Sequence, residues 1–229
     1  MTANNNAMAW GHESILNFFE SERQTSAQIY PSEWFFLKQK MAENMSILDI
    51  GCAKGGMASV LAENLEKFEY VGVDINRKMI QAAKMRLPQH QFYQIEEDDY
   101  SLLNGKLFDI VLCLGILHMH ENWRNTIKEA WLHTKKYLIL DLRETHLPTI
   151  ENKDESYFIM DFDNPTNPTS DFTVPYNIIN TAEVLQTLHD ICPDASRIAH
   201  YGYSQKLSAL TVSPLTNIMA TAYCIERPS

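Results

Sequence analysis

An α/β fold, with a doubly wound and mostly parallel sheet of seven strands, is what this 229-residue sequence predicts. Three observations carry that prediction. Short apolar runs alternate with helical patterns between residues 46 and 142, as in consecutive right-handed crossover units. The first apolar run enters a glycine-rich turn, Gly51-Cys52-Ala53-Lys54-Gly55-Gly56, that leads into a helix. The last two apolar runs are joined too closely for a helical crossover, so they form an antiparallel hairpin.

The elements follow in order. Residues 1–8 are polar and Asn-rich and read as disordered. Residues 9–229 read as one domain, with 9–45 as a helical cap. Ile15, Leu16, Phe18 and Phe19 line one helical face, and Pro31 suits the first turn of a second helix. "SILDI" is a strand and Met57 to Leu65 a helix. "FEYVGVDI" is a strand, after which Asn76 caps a helix ending before Pro88. "QFYQIEE" and "LFDIVLCLGIL" are strands, the second apolar throughout because both its faces are covered. A helix over "NWRNTIKEAWLHT" turns Ile127, Ala130 and Trp131 to one side, and "KYLILDL" is the fifth strand. Residues 143–179, with Pro165, Pro168 and Pro175, form a long lid-like insertion. Asn180 and Glu183 fit a capping pattern for the next helix, and "SRIAHYGYS" and "NIMATAYCIER" close the sheet.

Composition narrows the function. Hydrophobic residues make up 45% of the chain and charged residues 21%, enough apolar sequence for a full core. A formal net charge of −10 with no basic run opposes binding to a nucleic-acid backbone. Cys52, Cys113, Cys192 and Cys224 include no C-x-x-C pair and read as buried free thiols. The N-terminus lacks the regions of a signal peptide and no run approaches a membrane span, so a cytoplasmic protein without membrane partners is expected. A monomer and a dimer both fit.

The glycine turn lies where an open parallel sheet binds ligands, beyond the carboxyl ends of its strands. Gly51 and Gly55 allow close approach there, and Gly56 allows tight packing at the helix start. Asp74 ends the second strand about 20 residues on, the place for a carboxylate that holds a ribose diol. Ala53 replaces the middle glycine of the dinucleotide fingerprint, which disfavours a pyrophosphate. The ligand is therefore a nucleoside. Asp49 is an acid inside an apolar strand, which is costly without a partner. It is expected to bond turn amides and to face the cationic end of the ligand. Lys54 is either a solvated loop lysine or a holder of an anionic acceptor.

This set resembles the class I S-adenosylmethionine-dependent methyltransferases of the small-molecule branch, whose fold is Rossmann-like. "ILDIGCAKGG" is similar to their first motif, with Ala53 where glycine is commonest; "YVGVDI" to the second; "FDIVLCLGILHMH" to the fourth-strand motif. The resemblance covers about Ser46 to Leu142. It implies S-adenosyl-L-methionine as cofactor, becoming S-adenosyl-L-homocysteine, with Asp49, Gly51, Cys52, Ala53 and Gly55 around its tail. Asp74 and Ile75 would hold the ribose. Asp98 or Asp99, in "IEEDDY", would meet the adenine amino group, with Asp98 preferred. Leu114 and an N-terminal aromatic, Tyr30, would close the cofactor site.

The implied reaction is methyl transfer to a small molecule, favouring the oxygen of a sugar or another metabolite. Transfer to nitrogen, aminopropyl transfer, a nicotinamide-dependent oxidoreductase and a non-catalytic cofactor-binding subunit are the alternatives. His118, His120 and His146 are candidate bases, because histidine titrates near neutral pH and an alcohol must lose a proton; His118 is equally a packing residue. Arg143 is either a holder of an anionic acceptor or the ion-pair partner of Asp141 or Glu144. Trp34, Tyr157, Phe158 and Tyr176 are expected to line the acceptor pocket. No metal is implied by the spacing of His and carboxylates. The cap is expected to be a lid whose removal, over residues 1–40, abolishes turnover but leaves a folded sheet.

Overall fold

The computed structural model describes residues 9–11 and 13–228; the disordered segment expected at 1–8 lies outside them. Two helices, α1 (Glu13–Ser21) and α2 (Pro31–Lys40), precede the sheet, and Pro31 opens the second of them as expected. The sheet strands are β1 (Met45–Ile50), β2 (Phe68–Asp74), β3 (Gln91–Gln94), β4 (Phe108–Cys113) and β5 (Thr134–Thr145). Between them run α3 (Gly56–Ala62), α4 (Arg77–Arg86) and α5 (Trp123–Leu132). Then come β6 (Tyr157–Ile159), β7 (Thr173–Pro175), β8 (Ile179–Asn180), α6 (Thr181–Ile191), β9 (Arg197–Lys206), β10 (Thr211–Val212) and β11 (Asn217–Glu226).

The main sheet has the order β3-β2-β1-β4-β5-β11-β9. Neighbours are parallel up to β5, and β11 runs antiparallel to both β5 and β9. The expected seven strands and terminal hairpin are present. The short β8 adds an eighth strand, parallel to the end of β5. Strand order reverses between β1 and β4, and that reversal opens a crevice at the carboxyl ends.

Alternation along the strands separates two apolar layers. Leu48, Val111, Leu138 and Leu140 face α5 and α6, packing on Trp123, Ile127 and Leu188. Ile47, Ile110, Leu112 and Ile139 face the other way, onto Phe36, Leu37 and Leu61. Each side is covered by helices, which is why the central strands read as unbroken apolar runs.

Four expectations change. The fifth strand does not stop at Leu142 but continues through Arg143 and Glu144 to Thr145. The fourth stops at Cys113, because Gly115 turns at a φ of 79° and residues 117–119 form a 3-10 turn. The lid-like insertion is partly ordered sheet: β6 pairs with β7 and with β10 to make a second, three-stranded sheet. The cap is not all lid. Phe36 and Leu37 are buried in the core with Ile139 and Cys224, so removing residues 1–40 would strip one face of the sheet as well as open the cavity that Phe18, Phe19 and Tyr30 wall.

Asn76 caps α4 as expected, accepting from the amides of Lys78 and Met79. Asn180 caps α6 by accepting from Ala182 N. Glu183 does not complete that cap. Its carboxylate goes instead to Arg124 and Thr149, and Thr149 receives the Asn180 amide.

Candidate active site

A cavity of about 420 Å³ lies over the carboxyl ends of β1, β2 and β4, walled by the cap and roofed by the second sheet. Its floor begins at the glycine turn. The amides of Gly51 and Cys52 both donate to Val73 O, at 2.8 and 3.1 Å, which pins the turn to β2. Ala53 N donates to Asp74 Oδ2 at 2.9 Å, and Asn76 N to Asp74 Oδ1 at 2.7 Å. Asp74 thus organises the turn, the task expected of Asp49. A carboxylate has about four acceptor positions, so two amides leave capacity for two more donors from the cavity that Asp74 lines.

Ala53 sits at a φ of 46°, in the left-handed region. That is where an L side chain is strained by about 1–2 kcal/mol. Ala53→Gly is expected to raise stability by about 1 kcal/mol, since the relieved strain exceeds the added entropy of the unfolded chain. Urea unfolding measures it, and a loss of stability would contradict the strain. Gly55 is not among the described residues that line the cavity. It caps α3 at a φ of 75°, and a Cβ there would sit 2.8 Å from the Phe92 ring, so it serves packing. At Gly56 a Cβ would meet Arg23 O at 2.3 Å, which is how the cap closes down on the turn.

Asp49 is buried and accepts from the Tyr70 hydroxyl at 2.5 Å. Burial pushes its carboxyl up to about 7, against the pull of Tyr70 and of nearby Arg23. It faces the cavity, as do Gly51, Cys52, Ala53, Ile75 and Leu114.

Beyond β3, Asp98 takes a φ of 62° and lines the cavity. Its Oδ2 accepts from Asn122 Nδ2 at 2.6 Å, while its Oδ1 is buried with no hydrogen-bond partner. An orphaned carboxylate oxygen at a cavity wall is a ready acceptor for a ligand amino group. Asp99 is exposed, turns to the Ser101 amide at 3.0 Å and does not line the cavity. The choice in "IEEDDY" therefore falls on Asp98.

The three histidines separate. His118 is buried on the cavity wall, edge-on to Tyr176, and its Nδ1 has no partner. Desolvation, with the cations Arg143 and Arg23 nearby, holds its pKa well below the usual range, so the ring is neutral. His120 also lines the cavity, but Asn122 N donates to its Nδ1 at 2.9 Å. Its Nε2 therefore carries the proton and points to Glu97 Oε1 at 3.5 Å and Asp98 Oδ1 at 3.8 Å. At 3.8 Å it makes no hydrogen bond to Asp98, and its Nδ1 is already occupied. His146 is exposed beyond β5 and away from the cavity.

Arg143 is buried and donates to Asp141 Oδ2 at 2.5 Å, while Asp141 Oδ1 accepts from Gly115 N at 2.5 Å. Of the two expected ion-pair partners, Asp141 is the one. Glu144 lies on the opposite face, accepting from Thr181 Oγ1 at 2.8 Å. The Arg143 guanidinium stands 5.3 Å from the Tyr30 ring, and Asp141 holds its pKa above the usual value despite burial. Tyr30, Phe158 and Tyr176 line the cavity as expected. Trp34 packs instead against the core layer under the cap, and Tyr157 points away from the cavity. Lys54 is neither solvated nor in the cavity: it pairs with Glu20 of α1 and is buried there.

Arg23 and Tyr70 are site residues that the sequence did not single out. Arg23 faces the cavity and donates to the fully buried Glu33 at 2.9 Å. An Arg ten residues before a Glu, across a break at Pro31, carries no local signal of that pairing. Tyr70 was legible in part: its place in β2 opposite Ile47 of β1 puts it beside Asp49.

Residues 48–136 match the family model described as a methyltransferase domain. The chain is 29% identical over 86 residues to the phthiotriol/phenolphthiotriol dimycocerosates methyltransferase of Mycobacterium tuberculosis, covering 37% of this chain and 32% of that protein. It is 29% identical over 107 residues to the U6 snRNA methylphosphate capping enzyme Amus of Drosophila melanogaster, covering 38% of this chain and 36% of that protein. The chain thus spans about a third of the length of these two curated relatives. Among solved structures it is similar to magnesium protoporphyrin IX methyltransferase from Synechocystis PCC 6803 with bound SAM. That likeness has a TM-score of 0.55 at 15% identity and covers 98% of this chain and 90% of the other.

Proposed function

We propose, from the premise that residues 48–136 form a methyltransferase domain within a class I methyltransferase fold, that the chain moves a methyl group from S-adenosylmethionine to a small molecule. The observation that carries this reading is the row of three carboxylates, Asp49, Asp74 and Asp98, at the ends of β1 and β2 and beyond β3 along one wall of the cavity. Each is matched to one donor group of the cofactor. Asp74 retains acceptor capacity for the two ribose hydroxyls. Asp98 offers its unpartnered Oδ1 to the adenine amino group. Asp49, with no cation bonded to it, faces the ammonium and sulfonium end. Arg23 lines the same end and suits the carboxylate of the amino-acid tail.

When bound, the cofactor supplies an activated methyl carbon whose leaving group departs neutral. The protein's part is to align an acceptor with the C–S bond and to exclude water. The cap and the second sheet do the excluding, with Phe158 and Phe162 over the cavity. Oxygen is the acceptor atom we favour, with the neutral His118 on the cavity wall and Tyr176 edge-on to it as its polar surroundings. Few polar groups come from the roof, which favours an apolar acceptor over a free sugar. A net charge of −10 opposes an RNA acceptor.

Calorimetry with S-adenosylhomocysteine and with NAD tests the cofactor. Micromolar binding of the first without the second is expected, and the reverse would reject the reading. Incubation with methyl-labelled cofactor and candidate acceptors tests transfer; a chain that binds the cofactor but labels none is a binding subunit.

A further inference from the structure

The charged groups that face the cavity are sorted by sign along the sheet. The acids Asp49, Asp74 and Asp98 stand on β1, β2 and the turn after β3. The sheet's cations, Arg143 and Lys206, come from β5 and from the end of β9, while Arg23 comes from the cap beside Asp49. In sheet order the boundary is β4, and the turn after it brings the uncharged Leu114, Gly115 and Ile116 to the cavity. Arg143 and Arg23 have partners, but those partners stand behind the wall. Asp141 and Glu33 hold Arg143 and Arg23 in place, and neither is among the described residues that line the cavity.

The acidic half is consumed by the cofactor of the preceding reading. The cationic half exceeds what that cofactor needs, because its tail has a single carboxylate. Above Arg143 the surface turns apolar and aromatic, with Phe158 and Tyr176 nearly parallel at 6.2 Å and Phe162 against Phe158 at 5.6 Å. From this juxtaposition of a buried guanidinium with an aromatic roof we infer that the acceptor is an apolar, ring-bearing carboxylic acid, and that the product is its methyl ester. The inference rests on the methyltransferase reading above.

Two physical arguments support it. A carboxylate entering a dry cavity is costly unless it meets a cation, and Arg143 offers a planar fork of five N–H donors, of which Asp141 takes one and the Tyr176 hydroxyl engages another. The second argument concerns the proton. An alcohol must lose one during transfer, yet His118 is held neutral by its burial, with Arg143 and Arg23 adding to it, and is a weak base. His120 has its Nδ1 occupied, and His146 is outside the cavity. A carboxylate arrives with no proton to lose. Its oxygen lone pair forms the new O–C bond, the C–S bond breaks with its electron pair going to sulfur, and no proton moves. The negative carboxylate and the positive sulfonium vanish together, which a low-dielectric site favours.

The test uses the full chain saturated with S-adenosylhomocysteine and two matched probes, 2-naphthoic acid and 2-naphthamide. The acid is expected to bind at least tenfold tighter than the amide. Arg143→Lys is expected to keep part of that preference. Arg143→Gln is expected to lose it while retaining affinity for S-adenosylhomocysteine. Turnover of the acid with methyl-labelled cofactor should give a product whose label mild alkali releases as methanol. Equal affinities, no binding of either probe, a preference that survives Arg143→Gln, or an alkali-stable label would each overturn the inference. Failure of S-adenosylhomocysteine itself to bind would instead overturn the cofactor reading. Should Arg143→Gln fail to fold, the acid–amide ratio in the wild type and in Arg143→Lys still decides.

Discussion

Asp74→Ala is expected to weaken S-adenosylhomocysteine binding by a hundredfold or more. Two hydrogen bonds from a diol to a charged acceptor contribute about 3 kcal/mol or more together, and a hundredfold is about 2.7 kcal/mol. The substitution also strips Ala53 N and Asn76 N of their acceptor, so the turn loses its order before the ligand arrives. A stability loss of about 1–3 kcal/mol for a buried, unpaired donor accompanies the loss of affinity. Asp74→Asn separates the two effects, because its amide oxygen can still accept one turn amide while the diol loses its charged partner. Calorimetry at one pH and urea unfolding measure both. An affinity within threefold of the wild type would remove Asp74 from the site.

Asp49→Asn is expected to change how stability depends on pH. Asp49 ordinarily titrates near 3.8, and burial raises it to about 7 in the folded chain. A raised folded value means that the native state holds the proton more tightly than the unfolded chain does. Its contribution to stability is complete below about pH 4 and is lost as pH rises through 7. The difference of about three pH units corresponds to about 4 kcal/mol at pH 8. The Asn variant carries no such charge. It should therefore gain on the wild type by about that amount between pH 4 and pH 8 in urea unfolding. A cationic ligand reverses the sense: it favours the carboxylate, so wild-type affinity should rise with pH through 7 and the Asn variant's should stay flat. Parallel stability profiles for the two proteins would show that Asp49 does not titrate there.

Much of the fold was legible because local chemistry and global architecture agree. The fourth strand misread because an apolar run continues past the turn at Gly115, and the fifth because charge interrupts one. β5 passes through Asp141, Arg143 and Glu144, and hydropathy alone ends it at Leu142. Those charges are buried because each found a partner: Arg143 with Asp141, and Glu144 with Thr181. The second sheet was illegible for a different reason. Its strands have two or three residues each, and β6 pairs with a segment more than fifty residues away. Nothing local specifies such a pairing.

The site divides the same way. The sequence by itself determined the glycine turn, the acid at the end of β2 and the histidine after β4, because each belongs to one strand end and strand ends converge in this fold. Ala53 is an example of its precision: a single residue out of pattern, and in the folded chain a single residue at a φ of 46°. Only the tertiary structure decided which neighbours those residues have. It gave the turn to Asp74 rather than Asp49, closed Lys54 against Glu20, and gave the His120 Nδ1 to the Asn122 amide. It also set Arg143 and Arg23 on the same side of the cavity from segments 120 residues apart. The physical reason is that backbone course follows from periodicity and turn chemistry, which are local. The charge state and partner of a buried side chain follow from what the rest of the chain brings within about 4 Å.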